Sequence, residues 1–495
     1  MIFRMTLVQL PRVLGPWMAT AIVVGTVIGT GVFKKGRNVA TNVPEFGLGI
    51  SVWIIGGLLT LLGALALAEV AVRLPRAGGN YVFLREGFGR RAGFLWGWVE
   101  FWIIRSASIA ALASMFTDSL HEIIKDVKYP HELIKPDVVS YWPRQAFTIF
   151  LIAVLSVVNI LGTRIGATLQ LVITALKVLS IIAIALLPFI VLAVVGTPEF
   201  PPRTEFLKPT WPADWSNVNW GNYGVALVAV FWAYDGWMNI GPVAEEVRNP
   251  SRNLPLALLA GVLLLITLYV SANVSYYLVI PHNDIISVGS TPLATVFCSR
   301  LLGNAGILIA SLILMTSVFG ALNGNVLIAP RLLFAMGRDD LASPRLSALH
   351  PKYQTPAAGT IAFGVWSCAL IVIGGLLTQF RLPLMSLGGH SFDINLPEGK
   401  ELFDVMTDYA MVGTITMGTL AVAAIFPLRT RDPGTSLPYR CIGYPVVPII
   451  YVTAMAAVQI NMFLQVETRT ESIIGTAFLA LGAVVYQILF VPKRR

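Results

Sequence analysis

The sequence predicts an all-α membrane protein of about twelve transmembrane helices, and three observations carry that expectation. The chain of 495 residues is 56% hydrophobic and only 12% charged, against roughly 25% charged in soluble proteins. Apolar runs recur along it, as at 50–70, 254–280 and 304–330, each long enough to cross about 30 Å of hydrocarbon at about 1.5 Å per residue. Basic residues gather in short connections, with Arg73, Arg76, Arg85, Arg90 and Arg91 in one and Lys493, Arg494 and Arg495 at the chain end. Positive charge accumulates on cytoplasmic loops, so both termini are expected inside.

Twelve spans are expected at 15–40, 47–72, 93–120, 143–162, 168–195, 219–247, 254–280, 304–336, 357–379, 404–428, 445–464 and 471–491. Residues 15–196 (spans 1–5) and 219–428 (spans 6–10) read as inverted repeats of one domain, with 445–491 as two further helices. The net charge of +9 suits loops at a membrane surface better than a nucleic-acid partner. Cys298, Cys368 and Cys441 are too scattered for a disulfide framework or a zinc site, and no metal or cofactor is expected. The opening MIFRMTLVQLPRV lacks a cleavable signal pattern, so the first span is expected to be retained.

Catalysis finds little to use. His121, His131, His282, His350 and His390 fall in loops or at span ends, with no Ser/His/Asp or Cys/His set. GTVIGTGVF (25–33) lacks the order of a dinucleotide fingerprint, and VFKKGR (32–37) is not a phosphate loop.

Two spans differ from the rest. Span 1 carries Gly25, Gly29 and Gly31, and span 6 carries FWAYDGW (231–237) with Asp235-Gly236 in mid-span. Glycine inside a helix costs about 1 kcal/mol relative to alanine, and an aspartate at mid-membrane costs roughly 2.5 kcal/mol or more. Close packing through small residues would explain span 1 alone. Spans 1 and 6 are equivalent in two five-span repeats, however, and matched interruptions are the sequence mark of a transporter's binding site.

These segments, with LPRAGGNYVFLREGFG (74–89), WVEFWIIRSAS (98–108), LQLVITALKVL (169–179), AEEVRNPSRNLPLA (244–257), FGALNGNVLIAPRLLFAMGRDD (319–340) and YRCIGYPVVP (439–448), resemble the amino acid–polyamine–organocation superfamily. Within it the chain is similar to the L-type amino acid transporter light chains and their bacterial relatives, from about 14 to about 490. The resemblance implies sodium-independent secondary transport of amino acids across the plasma membrane by alternating access, as exchange, uniport or proton-coupled movement. A carrier of cationic amino acids or polyamines, or an amino acid sensor, is the alternative. Three departures stand out. Loop 121–142 has no cysteine, so no disulfide-linked heavy chain is expected; segment 380–403 is longer than the family's usual connection; and Asp235 stands where the animal light chains have glycine.

An unwound helix frees backbone groups that hydrocarbon cannot satisfy and a zwitterion can. The N–H groups at Gly29, Thr30 and Gly31, before an outer half-helix starting near Val32, suit a carboxylate. The carbonyls around Trp232, Ala233 and Tyr234 suit an ammonium group. By resemblance these are the backbone-recognition positions, joined by Val27, Asp235, Gly236 and, in span 3, Ser108 with Ile109. Trp232 is a candidate lid.

Lys177 lies about 14 Å into span 5 from Thr168 by helical rise, too deep to snorkel. It is expected to face the carbonyls of span 1 and, by resemblance, to replace a coupling sodium. Arg105 and Glu100, five residues and roughly 140° apart on an α-helix, are each expected to pair with another helix. Glu69, Glu245 and Glu246 read as solvated groups near span ends, and Asn253, before Leu254-Pro255, as a helix N-cap.

Overall fold

The computed structural model describes residues 10–128, 137–194, 196, 200–289, 291–379, 385–387, 390–392 and 402–491. Among them, eleven helices are long and apolar enough to cross a membrane. They are span 1 (Pro16–Lys34), span 2 (Phe46–Arg73), span 3 (Arg90–Lys125), span 4 (Tyr141–Ile160), span 5 (Thr163–Val194), span 7 (Pro250–Val279), span 8 (Asn304–Arg338), span 9 (Ala357–Leu377), span 10 (Met411–Arg431), span 11 (Val446–Leu464) and span 12 (Thr468–Phe490). The expected sixth span is only the 15-residue helix Trp220–Tyr234, followed by a short turn of helix at Trp237–Ile240. It falls short because the chain breaks at Asp235 and Gly236, the latter at φ 104°, a left-handed conformation that favours glycine.

Span 1 is also broken. Its first helix ends at Val27, and the chain resumes helix at Gly31–Lys34 and Gly36–Asn42. Span 1 packs on spans 5, 7 and 8, while span 6 packs on span 2. Trp53, Tyr234 and Tyr269 bring spans 2, 6 and 7 together, with ring centroids 5.1–6.4 Å apart. The outer faces of the bundle carry exposed Phe150, Leu179, Val365 and Leu489, the apolar surface that lipid covers in a polytopic protein.

Among the described residues, those nearest the two chain ends lie on one face. Leu14 pairs with Val247 in a parallel bridge, and Phe490 packs on Phe94 near the start of span 3. Within the long segment 380–403, Met385–Leu387 pairs antiparallel with His390–Phe392, a helix begins at Leu402, and the other residues lie outside those described. Span 7 begins earlier than expected. Pro250 opens it, Asn249 is its cap at φ 45°, and Asn253 sits inside the helix, donating its side-chain amide to the Arg248 carbonyl. The proline in the first turn is therefore Pro250, whose missing N–H costs nothing there.

Candidate functional site

The break in span 1 leaves carbonyls without helical partners, and three other spans supply the donors. Lys177 Nζ donates to the Gly25 carbonyl at 2.8 Å and to the Ile28 carbonyl at 2.6 Å. Tyr269 of span 7 donates to the Val27 carbonyl at 3.1 Å, and Ser317 of span 8 reaches the Ile28 and Gly29 carbonyls at 3.1 and 2.9 Å. Lys177 is 2% exposed, so its ammonium is held by protein alone. Buried polar groups are expected to be hydrogen-bonded, and this set fulfils that.

The donors of the break differ from expectation at one position. The Gly29 N–H turns back to the Val27 carbonyl at 2.7 Å and is not free. The second helical segment starts at Gly31 with Thr30 as its cap, one residue before Val32. The N–H groups of Thr30, Gly31 and Val32 therefore open a helix, where no intrahelical acceptor exists.

Span 6 meets this break directly. Thr26 Oγ1 donates to the Gly236 carbonyl at 3.1 Å. Gly31 lies so close to Ala233 that an added Cβ would stand 2.5 Å from its Cα. The Trp232 carbonyl is taken by the Asp235 N–H at 3.2 Å, so it is not among the free acceptors.

A cavity of about 60 Å³ fills the angle between the two breaks. Val27, Gly29, Thr30, Gly31, Ser108, Trp232, Asp235 and Gly236 line it, together with Thr26, Arg105, Asn239 and Asn325. Ala233 and Tyr234 do not: Ala233 backs onto Gly31, and Tyr234 turns to donate to the Trp53 carbonyl at 3.2 Å. Ser108 spends its hydroxyl on the Ile104 carbonyl at 2.7 Å. A second cavity adjoins the first towards the face of the chain ends, and Arg105, Asp235, Gly236 and Asn239 border both. Asp235 thus sits in the wall between two cavities. No Lys or Arg nitrogen among the described residues comes within 4.0 Å of its carboxylate, and Arg105 is its nearest opposite charge.

Arg105 and Glu100 correct the sequence reading. Residues Glu100–Ile104 form a π-helical turn, in which residues five apart bond to one another. The turn brings Arg105 over Glu100, and Nε donates to Oε1 at 2.7 Å. The guanidinium then reaches Asn239 of span 6 at 2.9 Å and Asn325 of span 8. The carbonyls that the turn loosens are taken by Ser106 Oγ at 2.7 Å and by the Trp366 indole at 3.0 Å. Sequence reading missed Tyr269, Ser317, Asn239 and Asn325. Polar side chains in the apolar runs 254–280 and 304–330 were the available signal for three of them.

Ion pairs hold the face of the chain ends together, with Glu69 and Glu246 buried and Glu245 half-buried at a cavity edge. Glu246 is fully buried and binds Arg331 at 2.8 Å, while Arg331 also donates to Thr163 at 2.7 Å and to the Leu327 carbonyl. Glu245 accepts the Leu10 and Ala77 N–H groups, each at 2.9 Å, and both ends of the Arg338 fork. Glu69 is likewise buried, bound by Arg429 at 2.8 and 2.6 Å and by the Cys441 N–H at 2.7 Å. Each carboxylate meets an arginine distant in sequence, which is how a charge survives burial.

A helical membrane protein whose two broken spans face each other across a polar cavity belongs to the class of secondary transporters. The chain matches the amino acid permease family over residues 14–486 and belongs to that family. It is 30% identical to the serine/threonine exchanger SteT of Bacillus subtilis (strain 168) over 90% of this chain and 89% of that protein. It is 30% identical to the human b(0,+)-type amino acid transporter 1, covering 74% of this chain and 71% of the relative. The human cystine/glutamate transporter is 28% identical over 74% of this chain and 70% of its own length.

Proposed function

We propose that the protein exchanges amino acids across the plasma membrane by alternating access, without sodium, and with both termini in the cytoplasm. The observation that carries the reading is the pair of breaks. Thr30 and Gly31, where the second helical segment of span 1 opens, line the cavity, and a carboxylate is favoured there. Asp235 and the end of the Trp220–Tyr234 helix stand opposite, where an ammonium group is favoured. Lys177 supports sodium independence, because its Nζ holds carbonyls of the broken span that a cation would otherwise hold. The division into repeats at 15–196 and 219–428, with 445–491 outside them, is supported by exchanged partners: span 1 packs on span 7 as span 6 packs on span 2.

The test is uptake of labelled amino acids into proteoliposomes, preloaded or empty, in sodium or choline. Uptake that needs internal amino acid and ignores sodium is expected. Uptake lost in choline would overturn the reading, and binding without flux would make the protein a sensor.

A second reading, carriage of cationic side chains, is favoured by Asp235 lacking an ion pair within 4.0 Å among the described residues. Asp235→Asn would then weaken cationic substrates more than neutral ones. Equal loss of both classes would assign Asp235 a gating or structural role.

A further inference from the structure

On the face of the chain ends, beside the Glu245 knot, lies a cavity of about 560 Å³. It is larger than either cavity at the helix breaks, and its charge is unbalanced. Its lining holds Arg12, Arg76, Arg85 and Arg338 against Glu245 and Asp339. Two of the arginines are committed: Arg85 pairs with Asp339, and Arg338 with Glu245 at 3.1 Å.

The other two are not neutralised to the same extent. Arg76 has a side chain 56% exposed and only a 3.5 Å contact to Glu86, which is shared with Arg85. No carboxylate among the described residues lies within 4.0 Å of Arg12. Even with Glu86 counted, the group keeps a positive excess. Arginine forks match phosphate oxygens in pairs, and a phosphomonoester carries about −1.5 to −2 charges near pH 7.

We propose that this cavity binds a phosphate-bearing anion between Arg12 and Arg76. Such an anion would join the two segments that Glu245 already ties through the Leu10 and Ala77 N–H groups. Occupancy therefore reinforces closure of this face. The same chemistry could come from an inner-leaflet headgroup or from free phosphate, and the volume accommodates either.

The full-length protein, purified and delipidated in a neutral detergent, is titrated with dioctanoyl phosphatidic acid, inorganic phosphate or dioctanoyl phosphatidylcholine while its melting temperature is followed. A ligand that binds only the folded state raises that temperature saturably. Phosphatidic acid is expected to do so, and the combined Arg12→Gln and Arg76→Gln variant should need at least tenfold more of it. The paired lysine variant keeps the charge and loses the forks, so its midpoint should fall between the parent and the glutamine variant, which separates lost charge from lost folding. A rise with inorganic phosphate as well assigns the site to phosphate itself, and a rise with phosphatidic acid alone assigns it to lipid. No rise with either, an equal rise with phosphatidylcholine, or an unchanged midpoint in the glutamine variant would overturn the proposal.

Discussion

Gly31 and Gly29 lie two residues apart in the same broken segment, yet the structure assigns them opposite tolerance. A Cβ at Gly31 would stand 2.5 Å from Ala233 Cα and 2.6 Å from Ala233 Cβ. Carbon atoms rest at about 3.5–4.0 Å, so Gly31→Ala must drive spans 1 and 6 apart by about 1 Å. Both nearest atoms belong to the backbone or the first side-chain carbon, so no rotamer can yield. Overpacking of this kind costs about 1–3 kcal/mol, and the 3.1 Å contact of Thr26 with the Gly236 carbonyl stretches with it. If the cost falls on the transport step, turnover drops about 5- to 150-fold. At Gly29 the same Cβ would meet nothing closer than 3.9 Å, an ordinary contact, so Gly29→Ala should keep turnover within about threefold, inside the range of mild substitutions. Both variants are reconstituted at matched protein amount, and initial uptake is measured over a range of substrate concentration. Parental turnover in Gly31→Ala, or a greater loss in Gly29→Ala, would refute the assigned contact between the two breaks.

Three other outcomes are expected. Lys177→Ala leaves the Gly25 carbonyl without its donor while the Ile28 carbonyl keeps Ser317, so turnover should fall more than apparent affinity; the reverse split would make Lys177 a substrate ligand. Glu246→Gln leaves Arg331 with an uncompensated charge in a fully buried place, which costs roughly 3–5 kcal/mol, and a melting curve unchanged from the parent would contradict that. Burial pushes the Cys298 thiol up to about 12 and the Cys441 thiol up to about 11. At pH 7.5 the reactive thiolate is then below about one part in a thousand, so a polar alkylating reagent should label neither, and mass-spectrometric detection of either adduct on the folded protein would count against the burial.

The broken spans were legible because glycines and a mid-span aspartate are costly in an apolar helix, so Gly29, Gly31 and Asp235 stood out. The depth of Lys177 followed from helical rise, and the structure points its ammonium at span 1 carbonyls. Glu69 and Glu246 were misread as solvated because sequence reveals a charge near a span end and not the arginine it will meet. Glu246 and Arg331 lie 85 residues apart, and Glu69 and Arg429 lie 360 apart. The Gly29 N–H was misassigned for a related reason: a tight turn back to Val27 is a matter of local dihedrals, which a run of glycines permits without specifying. Arg105 and Glu100 failed on the assumed period, since an α-helical wheel puts them on different faces and a π turn does not.

That π turn behaves as one surplus residue in the helix. Winding the same residues as a uniform α-helix would rotate everything beyond the turn by about 100° relative to the first part of span 3. Ser108 would leave the cavity wall, and Arg105 would leave Asn239 and Asn325. Span 3 therefore carries two phases, one that seats its first half among the helices near the chain ends and one that aims its second half at the cavity. A chain that kept every residue but lost the π turn would lose the site, whereas one shorter by a residue within 101–104 would return Arg105 to the face of Glu100.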